Sequence, residues 1–259
     1  MAVPGEIRTI FQVLAALMVR EMTTRYARLS GGYLWAVVEP VAVICLLSIL
    51  FSQAFRTPPL GTSFVLFYAT GYLPLILFSD VADKTAAAVS FSRQLLAYPR
   101  VTVLDAVLAR FLLNLLTQIL VFTLVLSGLA LAGLLPHMPR MDILATAVAL
   151  AAALALGVGL LNCLAFSQSP MWQRLWSIVS RPLFLISGLF YTFEGLPAHI
   201  RELLIWNPLI HVVGLVRAAL YPTYYAAYVQ PGYVLALGLA TAVLGALMLR
   251  VFDAKEALR

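Results

Sequence analysis

The sequence predicts an all-α integral membrane protein with six transmembrane helices, on the evidence of its composition and the length of its apolar runs. Apolar residues make up 63% of the 259 residues and charged residues only 11%, with a mean hydropathy of +0.97. A soluble domain carries about a quarter charged residues. The apolar runs are each about as long as the 20 residues that a membrane-crossing helix needs, and the alternating ten-residue segments of a β-barrel are missing. We predict one membrane domain over residues 1–259.

An amphipathic segment precedes the first apolar run. Its apolar residues recur at the i, i+3, i+4, i+7 spacing of one helix face, and the segment meets Arg20 before it is long enough to cross a bilayer. We therefore predict an interface helix within residues 1–29, lying at the inner membrane surface with its arginines among anionic headgroups. The apolar face is made by Ile7, Ile10, Phe11, Leu14, Leu17 and Met18.

The predicted spans are separated by turn-forming or polar residues, for example at residues 56–59 and 167–170. Cys45 and Cys163 fall inside apolar runs, and we interpret both as small buried residues, not as a disulfide or a metal site. Five spans within residues 31–193 and a sixth near the C-terminal tail (residues 253–259) are predicted. Their approximate bounds are 31–55, 63–83, 103–135, 142–167, 172–193 and 232–252.

The placement of Lys and Arg predicts the orientation. With the N-terminus in the cytoplasm, thirteen of the seventeen basic residues fall on the cytoplasmic side, which matches the known excess of positive charge in inner loops. Both termini are therefore predicted to be cytoplasmic. The four basic residues left outside are Arg56, Arg140, Arg201 and Arg217.

Residues 194–231 form an irregular outer loop. Its two apolar pieces, 200–206 and 209–220, are each too short to span, and Pro208 disfavours helix at Asn207. A single span through both pieces would place the C-terminus outside, against the charge rule. We predict two re-entrant half-helices, with a helix lying flat on the outer surface as the alternative. The predicted outer gate is Trp206, Asn207, Pro208 and Arg217, and Arg217 either meets the substrate or pairs with Glu194.

The chain lacks the residues of several functional classes. His137, His199 and His211 share no metal-ligand spacing, and Ser187 lacks the glycine that leads a nucleophile turn, so no catalytic or metal residue is predicted. No Gly-Lys dipeptide exists, so any ATPase must be another chain. Glu39 is the one acid well within a span. It is either a coupling site for an ion or a hydrogen-bond partner of an N-terminal arginine.

Two further surfaces are candidates for function. The connection between spans two and three contains a short basic segment that ends before Pro99. This segment is either a binding site for a cytoplasmic partner or an ordinary basic inner loop. Aromatic residues on spans one and five form either an interfacial belt or a lining on which sugar rings could stack.

Three segments carry a resemblance to a known family: REMTTRYARLSGGYLWAVVEP (20–40), AYPRVTVLDAVLAR (97–110) and WNPLIHVVGLVRAALYP (206–222). On them the chain resembles, over essentially its whole length, the membrane subunit of type-2 ABC exporters, and among these the capsular polysaccharide export permeases of the KpsM type. O-antigen export permeases are near relatives.

The resemblance implies a bacterial inner-membrane homodimer that binds two cytoplasmic ATP-binding subunits. These subunits would hold ATP and Mg, so no cofactor is expected in this chain. The substrate would be an acidic polysaccharide on a phospholipid anchor, passed to a periplasmic co-polymerase or adaptor and an outer-membrane channel, with no nucleic acid involved. A small-molecule exporter of the same architecture and an ion-coupled secondary transporter remain alternatives.

The resemblance also implies roles for particular residues. Residues 7–29 would be the interface or gate helix, and 195–222 the re-entrant pair. Contacts with the incoming substrate or its lipid linker would come from Arg25, Arg28, Arg93, Arg100 and Arg181. The channel lining would include Tyr33, Trp35, Glu39, Phe184, Phe190 and Tyr191. The ATPase coupling segment would be Arg93, Gln94, Leu95, Leu96, Tyr98, Pro99 and Arg100.

Overall fold

The computed structural model describes residues 15–22, 32–92 and 102–251, and for Gly32 and Tyr33 the backbone alone. Across these ranges the regular structure is entirely helical, which confirms the predicted all-α class. Residues 15–22 form α1. The other helices are α2 (Gly32–Ala54), α3 (Phe64–Ala86), α4 (Ala88–Phe91), α5 (Val103–Leu131), α6 (Met141–Gln168), α7 (Pro170–Leu185), α8 (Ala198–Leu204), α9 (Pro208–Leu220) and α10 (Pro231–Val251).

Five helices of the described chain are long and apolar enough to cross a membrane: α2, α3, α5, α6 and α10. They correspond to predicted spans one to four and span six, which are thereby confirmed, with ends that differ by a few residues. The largest difference is at α5, which ends at Leu131, because Gly133 has a φ of 69°. That left-handed backbone conformation favours glycine and ends the helix.

Helix α3 occupies the centre of the bundle. Some 72% of its spanning window is buried, and it packs against α2, α5, α6 and α9. The aromatic rings of Phe67 and Tyr68 and the side chains of Leu73 and Leu77 are almost fully enclosed. Because lipid tails are as apolar as leucine, close van der Waals packing holds these helices together, more than removal from water does.

Small residues bring α6 and α10 into direct backbone contact. The two helices run in the same direction, since Gly238 lies beside Ala153 and Gly245 beside Leu160. A Cβ atom added at Gly238 would lie 2.9 Å from the backbone carbon of Ala153. Small side chains at such a contact are what close helix approach in a membrane requires.

We expect Gly238→Leu to destabilise the bundle, because the backbone of α6 cannot move away from the added side chain. Overpacking of this kind costs about 1–3 kcal/mol or more. The check is the thermal unfolding midpoint of the purified chain in detergent. Gly128→Leu is the matched control, because Gly128 also lies inside a long helix, yet a Cβ atom added there would meet nothing within 4 Å. Equal midpoints for the two variants would contradict the close contact.

The prediction of one continuous helix for span five was wrong. Helix α7 has 16 residues and ends at Leu185, and the chain then turns at Gly188, whose φ is 90°. Sixteen helical residues cover about 24 Å, less than the hydrocarbon thickness of about 30 Å. The sequence stays apolar after Leu185, and apolar composition alone does not distinguish a continuing helix from a buried turn. The end of α7 was therefore not predicted.

Helix α7 and the turn after it nevertheless pass along most of α3. The indole nitrogen of Trp176 donates a hydrogen bond to Asp83 Oδ1 at 2.9 Å. Further along the chain, the ring centroid of Phe190 lies 6.3 Å from that of Tyr68. Asp83 and Tyr68 are separated by roughly 22 Å of helix at 1.5 Å per residue.

The predicted break at Asn207-Pro208 is present. Helices α8 and α9 meet there at 105°, and Asn207 Oδ1 caps α9 by accepting the Leu209 N–H at 3.0 Å. Most of α9 is buried against α3 and α6, whereas α8 has no buried residue among those described. The length and composition of the bent pair are compatible with a re-entrant loop and also with a broken span. The re-entrant assignment therefore stays a prediction.

Opposite ends of the bundle carry different features. We call the end with α1, α4 and the break between α6 and α7 the latch end, and the end with residues 55–63, 132–140 and 221–230 the loop end.

Cys163 is buried, as predicted, but Cys45 is exposed on α2 in the single chain. Only 17% of the spanning window of α2 is buried, so one side of this helix faces away from the protein.

Candidate functional site

Helix α7 lies open along its whole length and carries a polar stripe. None of its residues is buried in the part of the chain that the structure describes. Its polar residues recur three, four and seven positions apart, which places them on one face. The two arginines of the stripe are about 10 Å apart along the helix axis. We call these residues the arginine stripe: Gln173, Arg174, Ser177, Ser180 and Arg181.

Arg181 lies at the depth of the middle of α3. It falls between Trp176, which is bonded to Asp83, and Phe184, whose ring packs against that of Tyr72 at 5.6 Å. Its side chain is exposed, and no ion pair within the described ranges involves it. A charged residue at membrane depth faces a water-filled cavity or the interior of an assembly in nearly every case. The arginine stripe therefore indicates a polar space beside α7.

Helix α2 contributes a second exposed surface. Trp35 is 60% exposed, and Glu39 is also exposed, with no hydrogen bond to any residue that the structure describes. The ring of Phe51, near the end of α2, lies 5.4 Å from Phe190. The segment after α7 thus touches α2, and the two exposed helices belong to one side of the molecule.

The other predicted lining residues are partly covered. Phe184 and Phe190 are half-buried because their rings pack against aromatic residues of α2 and α3. The Tyr191 hydroxyl donates to the Ile186 carbonyl at 2.7 Å. The side chain of Tyr33 lies outside the described residues.

Arg217 is enclosed at the loop end. Its side chain is 1% exposed, and it donates hydrogen bonds to the carbonyls of Gly188 and Tyr191, both at 2.7 Å. Its guanidinium carbon lies 4.4 Å from the centre of the Phe67 ring. These contacts satisfy buried carbonyl groups of the non-helical segment that follows α7. We call Arg217, Gly188, Tyr191 and Phe67 the Arg217 cluster.

Of the two alternatives predicted for Arg217, the ion pair with Glu194 is not present within the described chain. The guanidinium is shielded from solvent in the single chain, and contact with a substrate stays a prediction. Glu194 instead accepts a hydrogen bond from the Tyr224 hydroxyl at 2.9 Å. In the sequence, Arg217 is one of four outer arginines. Its acceptors are backbone carbonyls 26 and 29 residues away, and a backbone carbonyl leaves no mark on the residue type.

The other predicted gate residues divide into two groups. Asn207 donates from its amide to Ser187 Oγ at 3.0 Å, and the Ser187 hydroxyl donates in turn to the Leu183 carbonyl. Pro208 begins α9. Trp206 is exposed and lies apart from them, where its carbonyl accepts the Tyr233 hydroxyl at 2.7 Å.

Tyrosines surround the turn on the outer side of this cluster. Burial raises the pKa of Tyr228 to about 12, and burial also raises the pKa of Tyr224. Both hydroxyls therefore stay protonated at neutral pH and remain donors. The Tyr228 ring stacks on that of Phe193 with centroids 4.0 Å apart.

His211 is occupied by internal bonds. Its ring contacts the Ile205 carbonyl through Nε2 at 2.8 Å and accepts the Gln230 N–H at Nδ1 at 3.3 Å, and its side chain is fully buried. Among residues 15–22, 32–92 and 102–251, no three His, Cys, Asp or Glu side chains lie together as metal ligands.

A buried ion pair lies at the latch end. Arg110 Nε on α5 is 3.0 Å from Glu21 Oε1 on α1, and both side chains are less than a tenth exposed. Arg110 also donates to the Ala87 carbonyl at 3.1 Å, and its guanidinium carbon lies 4.1 Å from the centre of the Phe91 ring. We call these four residues the Arg110 cluster. It joins α1, α5 and the end of α3 next to residues 93–101.

Sequence reasoning missed the Arg110 cluster. Glu21 is surrounded in sequence by arginines, and Arg110 contributes to the charge rule as one more cytoplasmic basic residue. A signal was present, because Arg110 lies eight positions into an apolar run that otherwise tolerates few charges. An ionisable residue inside such a run is expected to pair with an opposite charge or with a backbone carbonyl.

A second polar group ties α3 to its neighbours near the latch end. Gln118 of α5 donates to Asp80 Oδ2 at 2.5 Å, and Lys84 also bonds to Asp80. Asp83 accepts the Trp176 indole, as described above. The start of α7 is therefore attached to α3 by one hydrogen bond, while its arginine stripe projects away from the bundle.

Several predicted contact residues lie outside the described ranges: Arg25, Arg28, Arg93, Gln94, Leu95, Leu96, Tyr98, Pro99 and Arg100. Most of the interface helix predicted within 1–29 and the tail 253–259 also lie outside them. The described part of α1 is held to α5 by Glu21. The roles predicted for these residues stay predictions.

Comparison with known proteins gives one family. The sequence profile described as ABC-2 type transporter matches residues 12–221. The chain is 32% identical over 236 residues to the polysialic acid transport protein KpsM of Escherichia coli, covering 91% of each chain. It is 28% identical to the capsule polysaccharide export inner-membrane protein CtrC of Neisseria meningitidis serogroup A, covering 90% of this chain and 88% of CtrC. For BexB of Haemophilus influenzae, the identity is 26%, over 93% of this chain and 91% of BexB.

Proposed function

Because the chain belongs to the ABC-2 type transporter family, we propose that it is the transmembrane subunit of an ATP-driven exporter of lipid-linked capsular polysaccharide. The family predicted from three sequence motifs is confirmed by the matches. Relatives named for capsule polysaccharide export or polysialic acid transport align over about nine tenths of both chains. The chain is a multi-pass protein of the inner membrane, and we propose that both of its termini are cytoplasmic.

The arginine stripe is the observation that carries the proposed substrate class. Arg181 projects from an exposed helix at the depth of the middle of α3, where lipid would not solvate it, and Arg174 lies about two turns nearer the latch end on the same face. An acidic polysaccharide offers carboxylates that a guanidinium binds with two parallel hydrogen bonds. Two such groups on one helix face would give a polymer successive contacts as it passes.

We propose that two copies of the chain enclose this path. Helices α2 and α7 expose one continuous side of the molecule, including Trp35 and Glu39. A second copy facing that side would cover the apolar residues and leave the arginine stripes around a water-filled channel. Trp35, Glu39 and the aromatic residues after α7 would then lie along its wall, with Tyr33 near the inner mouth.

ATP hydrolysis is assigned in this proposal to separate subunits that carry ATP and Mg. Residues 93–100 would contact them, and Arg25 and Arg28, together with Arg93 and Arg100, would receive the lipid linker and its first acidic groups. The Arg110 cluster supports a coupling role for this region, since Phe91 lies two positions before Arg93 and packs on the arginine that holds α1. A periplasmic adaptor and an outer-membrane channel complete the proposed assembly.

Co-purification tests the composition of this assembly. The chain is tagged, extracted from membranes of its source in mild detergent, and analysed for bound proteins. We expect a soluble partner with a P-loop in one-to-one ratio and ATPase activity in the complex. Recovery of the chain alone, even with the candidate ATPase co-expressed, would contradict the proposal.

The double variant Arg174→Gln/Arg181→Gln is expected to reduce polymer export at least tenfold, since each charge-assisted hydrogen bond to an anion is worth about 1.5–3 kcal/mol. Binding of the ATPase should be unchanged. Surface polysaccharide is measured against the total made by the cell. The control is Arg56→Gln, which removes an exposed arginine from the α2–α3 connection. Normal export by the double variant would exclude the arginine stripe from the substrate path.

A further inference from the structure

An apolar groove lies between α5 and α6 toward the loop end. Its volume is about 700 Å³. Both helices pack mainly against other parts of the bundle, α5 against α3 and α6 against α10 and α3, and they make few contacts with each other. The floor and walls come from residues 115–130 of α5, residues 135–139 of the connection and residues 141–152 of α6.

The lining of this groove is almost wholly apolar. Thr123 and Ser127 are its only polar residues apart from backbone atoms, and the Thr123 hydroxyl already donates to the Ile119 carbonyl at 2.8 Å. Alanines at positions 145, 149 and 152 leave the space open on the α6 side. Apart from the Ser127 hydroxyl, the groove therefore offers little to water or to a sugar, and it suits a hydrocarbon chain.

The dimensions of the groove match one leaflet of a bilayer. Residues 115–130 extend over about 22 Å and residues 141–152 over about 17 Å at 1.5 Å per residue. One leaflet provides about 15 Å of hydrocarbon, half of the usual 30 Å. Since α5 and α6 are both long enough to cross the membrane, the groove opens into lipid along its side.

A cation stands at the mouth of the groove. Arg140 directly precedes Met141, which lines the groove, and its side chain is exposed. Its backbone N–H donates to the Ala219 carbonyl at 2.9 Å, which fixes its position against α9. The nearest acid in sequence, Asp142, forms no ion pair with it within the described chain. The backbone of Arg140 lies between Pro139 and Met141, which both line the groove, and its positive charge is complementary to the phosphate of a lipid.

We propose that this groove binds a bilayer phospholipid, with one acyl chain between α5 and α6 and its phosphate at Arg140. The lipid fills a space that the protein leaves open and holds the two helices at their observed separation. This site is distinct from the proposed path of the polymer, and the inference does not depend on the identity of the exported substrate.

Photo-crosslinking tests the site. The full chain is reconstituted with phosphatidylglycerol that carries a diazirine at the end of one acyl chain, irradiated, and digested for mass spectrometry. Cross-links are expected on residues 115–130 and 141–152, well above those on Leu239 and Val243, which face outward on α10. Similar yields on α10 would show ordinary boundary lipid and overturn the proposal.

Two variants with matched controls separate the acyl and phosphate contacts. Ala145→Phe/Ala149→Phe fills the groove and should abolish its cross-links, whereas Leu124→Phe, an exposed residue of α5 outside the lining, should not. Arg140→Gln should lower lipid retention about tenfold in competition with unlabelled lipid, as loss of one charge-assisted bond predicts. Arg56→Gln should leave it unchanged. Unaltered cross-links in both groove variants would contradict a lipid site.

Discussion

Replacing Arg217 with glutamine is expected to destabilise the loop end of the bundle by about 3–5 kcal/mol. The substitution removes two hydrogen bonds from a charged donor, each worth about 1.5–3 kcal/mol, and the contact with the face of Phe67. The carbonyls of Gly188 and Tyr191 would then remain buried with fewer partners. The thermal unfolding midpoint of the purified chain should fall by roughly 2–4 °C for each kcal/mol, on the scale of a domain of this size.

Arg217→Lys separates a structural role from contact with a substrate. Lysine keeps the charge but lacks the planar fork that reaches two carbonyls at once. If Arg217 holds the turn after α7, the lysine variant should lose stability and export together. A variant that keeps both would identify the charge alone as the requirement. Arg201→Gln, on the exposed helix α8, is the control and should have little effect on the midpoint.

Breaking the Glu21–Arg110 pair should have an effect of similar size. Glu21→Ala leaves the Arg110 guanidinium buried without its carboxylate, and loss of one partner from a buried ion pair costs about 3–5 kcal/mol. The pair joins α1 to α5, and Arg110 also contacts Phe91, which precedes the proposed coupling residues 93–100 in the sequence. We therefore also expect ATP turnover to continue with less polymer exported per ATP. Purified complexes and surface polysaccharide provide the two measurements.

A double-mutant cycle tests whether the two residues act as a unit. Glu21→Ala and Arg110→Met are measured singly and together, and the double variant should be more stable than the sum of the single effects predicts. Coupling of about 0.5–3 kcal/mol is typical of residues in one such network. Arg250→Gln, an exposed charge near the end of α10, is the control. Strictly additive effects would mean that the ion pair does not join the helices energetically.

The sequence was sufficient for features that depend on local composition. Five spans followed from apolar length alone, and the break between α8 and α9 followed from Asn207 and Pro208, which cap one helix and cannot continue another. The end of α7 did not follow. Apolar residues continue through Phe193, and the turn at Gly188 is stabilised by an arginine 29 residues away.

The same distinction applies to the candidate site. Arg181 was predicted to contact the incoming substrate near the inner face, and the structure places it instead at the depth of the middle of α3, on a helix with no buried residue among those described. The Glu21–Arg110 pair joins residues 89 positions apart in the chain. No local sequence pattern specifies such a partner. Arg110 also donates a hydrogen bond to the carbonyl of Ala87, and because every residue has a backbone carbonyl, this acceptor cannot be recognised from the residue type.

The most direct test of the proposed function is the location of the polysaccharide in cells that lack this chain. We expect the polymer to be synthesised but retained inside the cell, and its return to the surface on expression of the chain should require an intact nucleotide site in the partner ATPase. Normal surface polysaccharide in the deletion strain, or rescue that is independent of the ATPase, would contradict an ATP-driven export permease.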